Sequence, residues 1–206
     1  MSEQDNQEAR KQRKPKAHRF YILNESFGEK RKDFEVENLA VLRGSEGALA
    51  PPRGKRGFPV YPEVPRVVIG KLGKKGAPPT DFELFHAYWL VSDRLKRLFE
   101  ELDPAAFAFL ACDVRLAGGS PGPGYWLCDV VRVIEAFDEN TSDDLRKHPH
   151  RGLLGYYSLV FNEQSIGSAH VFCTPYAVNV FADQSFKDAC QRAGIKGMKF
   201  TPCFKK

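Results

Sequence analysis

The stretch GKLGKKG at residues 70–76 sets glycines and lysines side by side, which invites comparison with a phosphate-cradling loop. Such a loop needs G-x4-G-K-[ST] between a strand and a helix. Here Lys74 and Lys75 are followed by Lys and Gly, so no hydroxyl is placed to reach a magnesium ion, and Pro78-Pro79 stand where a helix would begin. The glycines at 118–124 fail for a related reason: Pro121 and Pro123 remove amide donors that a pyrophosphate would need. Metal ligation fares no better. His148 and His150 flank Pro149, and His170 lies three residues before Cys173; neither spacing matches a C-x2-C pair or a helical H-x3-H. His86, amid Phe85, Tyr88 and Trp89, reads as a hydrogen-bonded histidine at a core margin. No G-x-S-x-G elbow surrounds Ser45 or Ser168, and the adjacent carboxylates Glu100-Glu101 and Asp143-Asp144 fix no acid and base across a cleft. The expectation is a protein without catalytic residues, metal or cofactor.

One cluster points to binding instead. Asp138, Glu139, Asp143 and Asp144 fall within seven positions, directly after a long apolar run. An acidic patch of this kind speeds docking of a basic partner through charge complementarity. Tyr125 and Trp126, beside the glycine-rich turn, are a candidate aromatic anchor for the same partner. The opposite charge gathers at the front: residues 1–80 carry 17 Lys and Arg against 10 Asp and Glu, while residues 81–206 carry 14 against 16. A basic front offers a second class of function, nucleic-acid binding through the tail from Arg10 to Arg19 and the loop from Arg53 to Lys75. It contains almost no aromatic residues on which bases could stack.

The elements that must position these residues follow from patterning. A chain of 206 residues can bury one substantial core. No run approaches the roughly 18 apolar residues of a membrane span. The polar first twenty residues contain no secretory h-region, and five cysteines, an odd number, read as reduced, mostly buried thiols of a cytoplasmic protein. Residues 1–17 have no apolar periodicity and are expected to be a disordered basic tail; residues 18–206 form one α+β domain. RFYIL at 19–23 predicts a first strand, and the Gly- and Pro-rich residues 44–80 predict long loops around one short strand at Val67–Ile69. Leu95, Leu98, Phe99 and Leu102 recur at helical spacing behind a Ser92 cap, and Phe186, Ala189, Cys190 and Ala193 repeat that pattern behind Asp183 or Ser185, with Gly194 as the stop. AAFAFLACDV and YWLCDVVRVIEAF predict a hairpin with a long second strand; YYSLVF, AHVFCTPYAVNVF and MKFTPCF predict further strands. The sum is a largely antiparallel sheet with two main helices and a long Gly/Pro-rich N-terminal region.

The order LVSDRLKRLFEEL, AFAFLACDV, YWLCDVVRVIEAFD and FKDACQRAGIKGMKFTP resembles the immunity proteins of bacterial polymorphic toxin systems, long catalogued as a domain of unknown function. Ser92, Asp93 and Arg94 occupy that family's helix start, Asp138 the end of its strand, and Gly194, Gly197 and Phe200 its closing turn and strand; the likeness covers residues 81–203. The resemblance implies a cytoplasmic antitoxin that binds a toxin encoded nearby and occludes its active site, with neither a membrane nor nucleic acid as its target. Absence of an export signal favours a toxin that acts in the cytoplasm, such as a nuclease. The basic cleft of a nuclease suits the acidic residues from Asp138 to Asp144.

Overall fold

The computed structural model describes residues 20–26, 34–42, 49–52, 54–70, 80–138, 160–175 and 177–203. The tail at 1–17, the lysine-rich residues 71–79 and residues 139–159 lie outside them, and with them Glu139, Asp143, Asp144, His148, His150 and most of the expected YYSLVF strand.

The fold is mixed α+β with mostly antiparallel pairing, but in three sheets instead of one. The first joins β11 (Met198–Pro202), β1 (Phe20–Glu25), β10 (Ala177–Asp183) and β9 (Val171–Thr174) in that order, all antiparallel. The second places β2 (Phe34–Val36) antiparallel to β3 (Arg66–Ile69), and β3 parallel to β7 (Asp113–Leu116). The third runs β4 (Phe82–Phe85), β5 (Tyr88–Ser92), β8 (Tyr125–Val130) and β6 (Phe107–Ala111), again antiparallel throughout.

Strand alternation builds the layers, because neighbouring side chains leave opposite faces of a sheet. On β8, Cys128 and Val130 enter one core while Tyr125 and Leu127 enter another. On β10, Val180 and Ala182 meet Cys128 in the first core, whereas Phe181 turns to a third, beside Phe20, Phe137 and Phe172. The first and third sheets are therefore covered on both faces, and strands such as β5 and β9 read as nearly continuous apolar runs.

The two expected helices are present. α2 (Asp93–Leu102) starts at Ser92, whose Oγ accepts from the Leu95 amide at 3.2 Å, and it buries Leu95 and Phe99. α4 (Gln184–Arg192) is capped by Asp183, which accepts from the Phe186 amide at 2.8 Å, and it buries Phe186, Ala189 and Cys190. Phe99 stacks on Phe107 at 4.4 Å between ring centres and meets Phe186 at 5.3 Å, so both helices fill the core between the first and third sheets. Two single-turn helices are additional, α1 (Leu39–Leu42) and α3 (Glu163–Ile166).

Four expectations change. The second hairpin strand ends at Val130; residues 132–134 then follow β9, with the Cys173 amide donating to the Arg132 carbonyl at 2.8 Å and the Ile134 amide to the Cys173 carbonyl at 2.9 Å, and residues 136–138 pair with 160–162. AAFAFLACDV divides at Cys112, so β6 pairs with β8 while β7 crosses to β3. AHVFCTPYAVNVF holds two strands, which pair antiparallel from Thr174 and Ala177. His86 is exposed at the turn of the β4–β5 hairpin with φ 55°, its ring edge-on to Phe85, and so lies outside the core margin.

Candidate functional site

The residues that carry the family resemblance converge on a carboxylate that sequence reasoning passed over. Asp81 is buried just before β4. The Ser92 hydroxyl donates to its Oδ1 at 2.8 Å, the Arg94 guanidinium reaches both oxygens at 3.2 and 2.6 Å, and the Lys196 amide donates at 2.9 Å. Arg94 continues to the carbonyls of Ala193 and Gly194 beyond α4. Burial pushes the Asp81 carboxyl up, but Arg94, the Lys196 amide and Ser92 together outweigh it and hold the group below its ordinary value. Gly197 sits in the same turn at φ 94°, where a Cβ would stand 2.2 Å from the Phe82 carbonyl. Asp93 faces the other way: its carboxylate accepts from Trp126 Nε1 at 2.6 Å, and its amide donates to the Gly124 carbonyl at 3.2 Å. Ser92, Arg94 and the 194–197 turn thus lock the start of α2 to the end of α4 through Asp81, while Asp93 ties that start to β8. The bonds made by Asp81, Ser92 and Arg94 here all run to groups of the chain itself.

Of the four acidic residues, Asp138 is the one that lies among the described residues. Residues 136–138 pair with 160–162: the Asp138 amide donates to the Val160 carbonyl at 2.9 Å, and the Asn162 amide to that of Ala136 at 2.8 Å. Phe137 lies 5.2 Å from Phe161 and 5.5 Å from Phe181, ring centre to ring centre. Asp138 is therefore held by its amide at the end of this pairing. Tyr125 is buried, its hydroxyl donating to the Thr80 carbonyl at 2.6 Å. Trp126 is half-buried, with Lys96 Nζ 4.7 Å from its ring centre, and it is the member of the pair that reaches the surface.

A third cluster pins the Gly/Pro-rich segment. Asp129, 4 % exposed at the end of β8, accepts from the Gly57 amide at 2.6 Å and lies 3.5 Å from Arg56 Nη2. Arg56 also donates through Nε to the Val130 carbonyl at 2.8 Å and contacts Cys173 Sγ through Nη2. Burial raises the Asp129 carboxyl, with the Gly57 amide and Arg56 opposing. A cavity of ≈ 70 Å³ here is lined by Arg56, Tyr88, Cys128 and Asp129 among others. Burial lifts the Cys173 thiol to about 11, and Cys128 also lies well above the ordinary value, so neither is an activated nucleophile. Nothing in the run GKRG announced these contacts. Their partners lie 72 to 117 residues away, beyond the reach of any local pattern.

Among the described residues no group of three or more His, Cys, Asp or Glu is arranged to hold a metal, and no helix is long and apolar enough to cross a membrane. His170 Nδ1 lies 2.8 Å from Asp183 Oδ2, joining β9 to the cap of α4.

A family model described as Immunity protein family (Imm11) matches residues 8–205. The match takes in the Gly/Pro-rich region and part of the basic tail, so it extends well beyond residues 81–203. No curated protein matches the chain.

Proposed function

The chain belongs to the Immunity protein family (Imm11), and from this premise we infer that it protects by binding a cognate toxin and occluding its active site. The match across residues 8–205 carries this reading. The polar clusters support it in one respect: the carboxylates of Asp81 and Asp129 are consumed in holding the chain, which suits a protein that acts by binding and performs no catalysis of its own. We place this action in the cytoplasm, against an enzyme such as a nuclease. The basic cleft of a nuclease would attract Asp138, Glu139, Asp143 and Asp144, with Trp126 as the aromatic contact beside Lys96.

Co-expression provides the test. The neighbouring gene's product is induced with and without this protein, growth is scored, and the pair is co-purified. Rescue with a stable complex is expected; no rescue and no complex would overturn the antitoxin reading. Charge reversal at all four acidic positions tests the interface, with an expected fall in association rate of about tenfold at low salt and a flatter salt dependence. Unchanged kinetics would remove those residues from the interface.

A further inference from the structure

We propose that β6 is the edge along which two copies of this chain pair, antiparallel and about a two-fold axis at Phe109, so that their third sheets become one continuous sheet.

β6 ends the third sheet, with β8 on one side of it. The Val131 amide donates to the Ala106 carbonyl at 2.8 Å and the Cys112 amide to the Tyr125 carbonyl at 3.3 Å. Antiparallel bonds recur at every second residue, so Ala108 and Leu110, like Ala106 and Cys112, turn their backbone groups toward β8. Phe107, Phe109 and Ala111 turn theirs outward, and among the described residues nothing bonds to that row. Other edges are taken: residues 132–134 follow β9, and β3 lies along β7. Open edges are usually guarded by a lysine, a proline or a bulge, and FAFLA holds none of these. Phe109 and Leu110 are half-buried and Ala111 is exposed, so the row can be reached.

The strand is complementary to itself. A copy laid antiparallel with Phe109 opposite Phe109 sets Phe107 against Ala111 and Ala108 against Leu110. Each large side chain then meets a small one or, at the axis, its own ring, and each outward amide meets an outward carbonyl. A slip of two residues either way leaves one outward residue unmatched. The available length fits as well. Pro65 accepts the Asp113 amide at 2.9 Å where β3 occupies this edge, so an added strand must stop at Ala111. In the copy, the residues beyond Phe107 are the single-turn 3-10 helix Pro104–Ala106, which leaves the strand direction at that point.

The covering layer leaves room for the pairing. α2 packs over β5, β8 and β6 and so sits above β8. Three strand spacings would part β8 from its copy, about 14 Å in all, against the 8–10 Å at which helices pack, so the two α2 helices do not collide. Lys96 Nζ, 5.1 Å from the Phe109 ring centre, is paired with Glu100 at 2.6 Å, so the axis brings no unpaired like charges together. One short strand from each copy makes a small interface, which sets the expected association in the micromolar range.

Sedimentation equilibrium of the full chain over about 1–100 μM protein provides the test. The mass is expected to climb with concentration from 23.2 kDa towards twice that value. Ala111→Pro removes an outward donor at an exposed position and leaves every bond to β8 in place. It is expected to weaken association by about tenfold or more while keeping the circular dichroism of the parent. Cross-linking reads the register. Under mild oxidation Phe109→Cys, which faces itself across the axis, is expected to give a disulfide-linked dimer, whereas Ala111→Cys, displaced from its copy by about 14 Å along the strand, gives none. A mass of 23.2 kDa at every concentration, or a dimer that Ala111→Pro leaves intact, would overturn the pairing. So would a monomer in which Ala111→Pro instead abolishes capture by the toxin, an outcome that assigns this edge to a toxin strand. Cross-linking through Ala111→Cys alone would overturn the register.

Discussion

Asp81 accepts hydrogen bonds from Ser92, Arg94 and the Lys196 amide, the last of them 115 residues away in the chain. Its carboxyl is held below the ordinary value, so its contribution to stability is complete above the unfolded value and is lost as pH falls through the folded one. Asp81→Asn is therefore expected to reduce stability at pH 7 by about 1–3 kcal/mol and to show a shallower acid decline than the parent below about pH 5. Urea unfolding at a series of pH values reads both effects. Asp129 has the opposite sign: with its folded value raised, the cost of the buried charge sets in as pH rises above the unfolded value and is complete above the folded one. Removing the guanidinium in Arg56→Ala is expected to raise the Asp129 carboxyl further, so that the variant loses more stability than the parent as pH rises above the unfolded carboxylate value. Equal pH slopes for the two proteins would show that Arg56 does not stabilise the charge. Sequence revealed Ser92 and Asp93 because capping is a local interaction, settled within one helical turn. It hid Asp81 and Asp129 because an isolated Asp has no signature until its distant partners are known.

Elements longer than two turns, or bounded by strong punctuation, were legible for the same reason. α2 and α4 each display a full apolar stripe with a cap, and Gly194, at φ 64°, closes the second of them. The β4–β5 hairpin was missed because its turn uses His86 at positive φ, where Gly or Asn would have signalled it. α1 and α3, one turn each, are too short to display a period. The break at Cys112 vanishes within an apolar run, since strands buried on both faces lose the polar alternation that would separate them, whereas the break after Thr174 is marked by Pro175. The turn that follows α4 permits a sharp comparison. Gly194→Ala meets open space and incurs only the left-handed backbone penalty, about 1–2 kcal/mol. Gly197→Ala adds a Cβ 2.2 Å from the Phe82 carbonyl and is expected to cost about 2–4 kcal/mol, separating the turn from β4. Chemical denaturation of the two variants side by side decides the matter; equal losses would mean that the Phe82 contact yields freely.

For the molecule as a whole, the order of the predicted strands and helices foretold the α+β class and mostly antiparallel pairing, but the division into three sheets depends on which strands meet, and that is a long-range choice. β7 leaves β6 for β3 across an interval in which Phe58, Tyr61 and Leu49 supply the covering layer. A segment rich in Gly and Pro thus contributes core, because three well-placed apolar residues suffice to close a sheet face. The same layering distributes the thiols. Cys128, Cys173 and Cys190 lie between the first and third sheets, Cys203 lies on the far side of the first sheet, and Cys112 lies against the core beneath β8. Burial raises Cys112, Cys190 and Cys203 each to about 12. Each compartment thereby carries its own chemical clock. In the folded protein a thiol-specific reagent at neutral pH is expected to label none of the five within the time that labels all five in urea, and the order in which they yield under native conditions would time the opening of each layer separately. Prompt native labelling of Cys203 alone would identify the layer against Phe137 and Phe161 as the first to part.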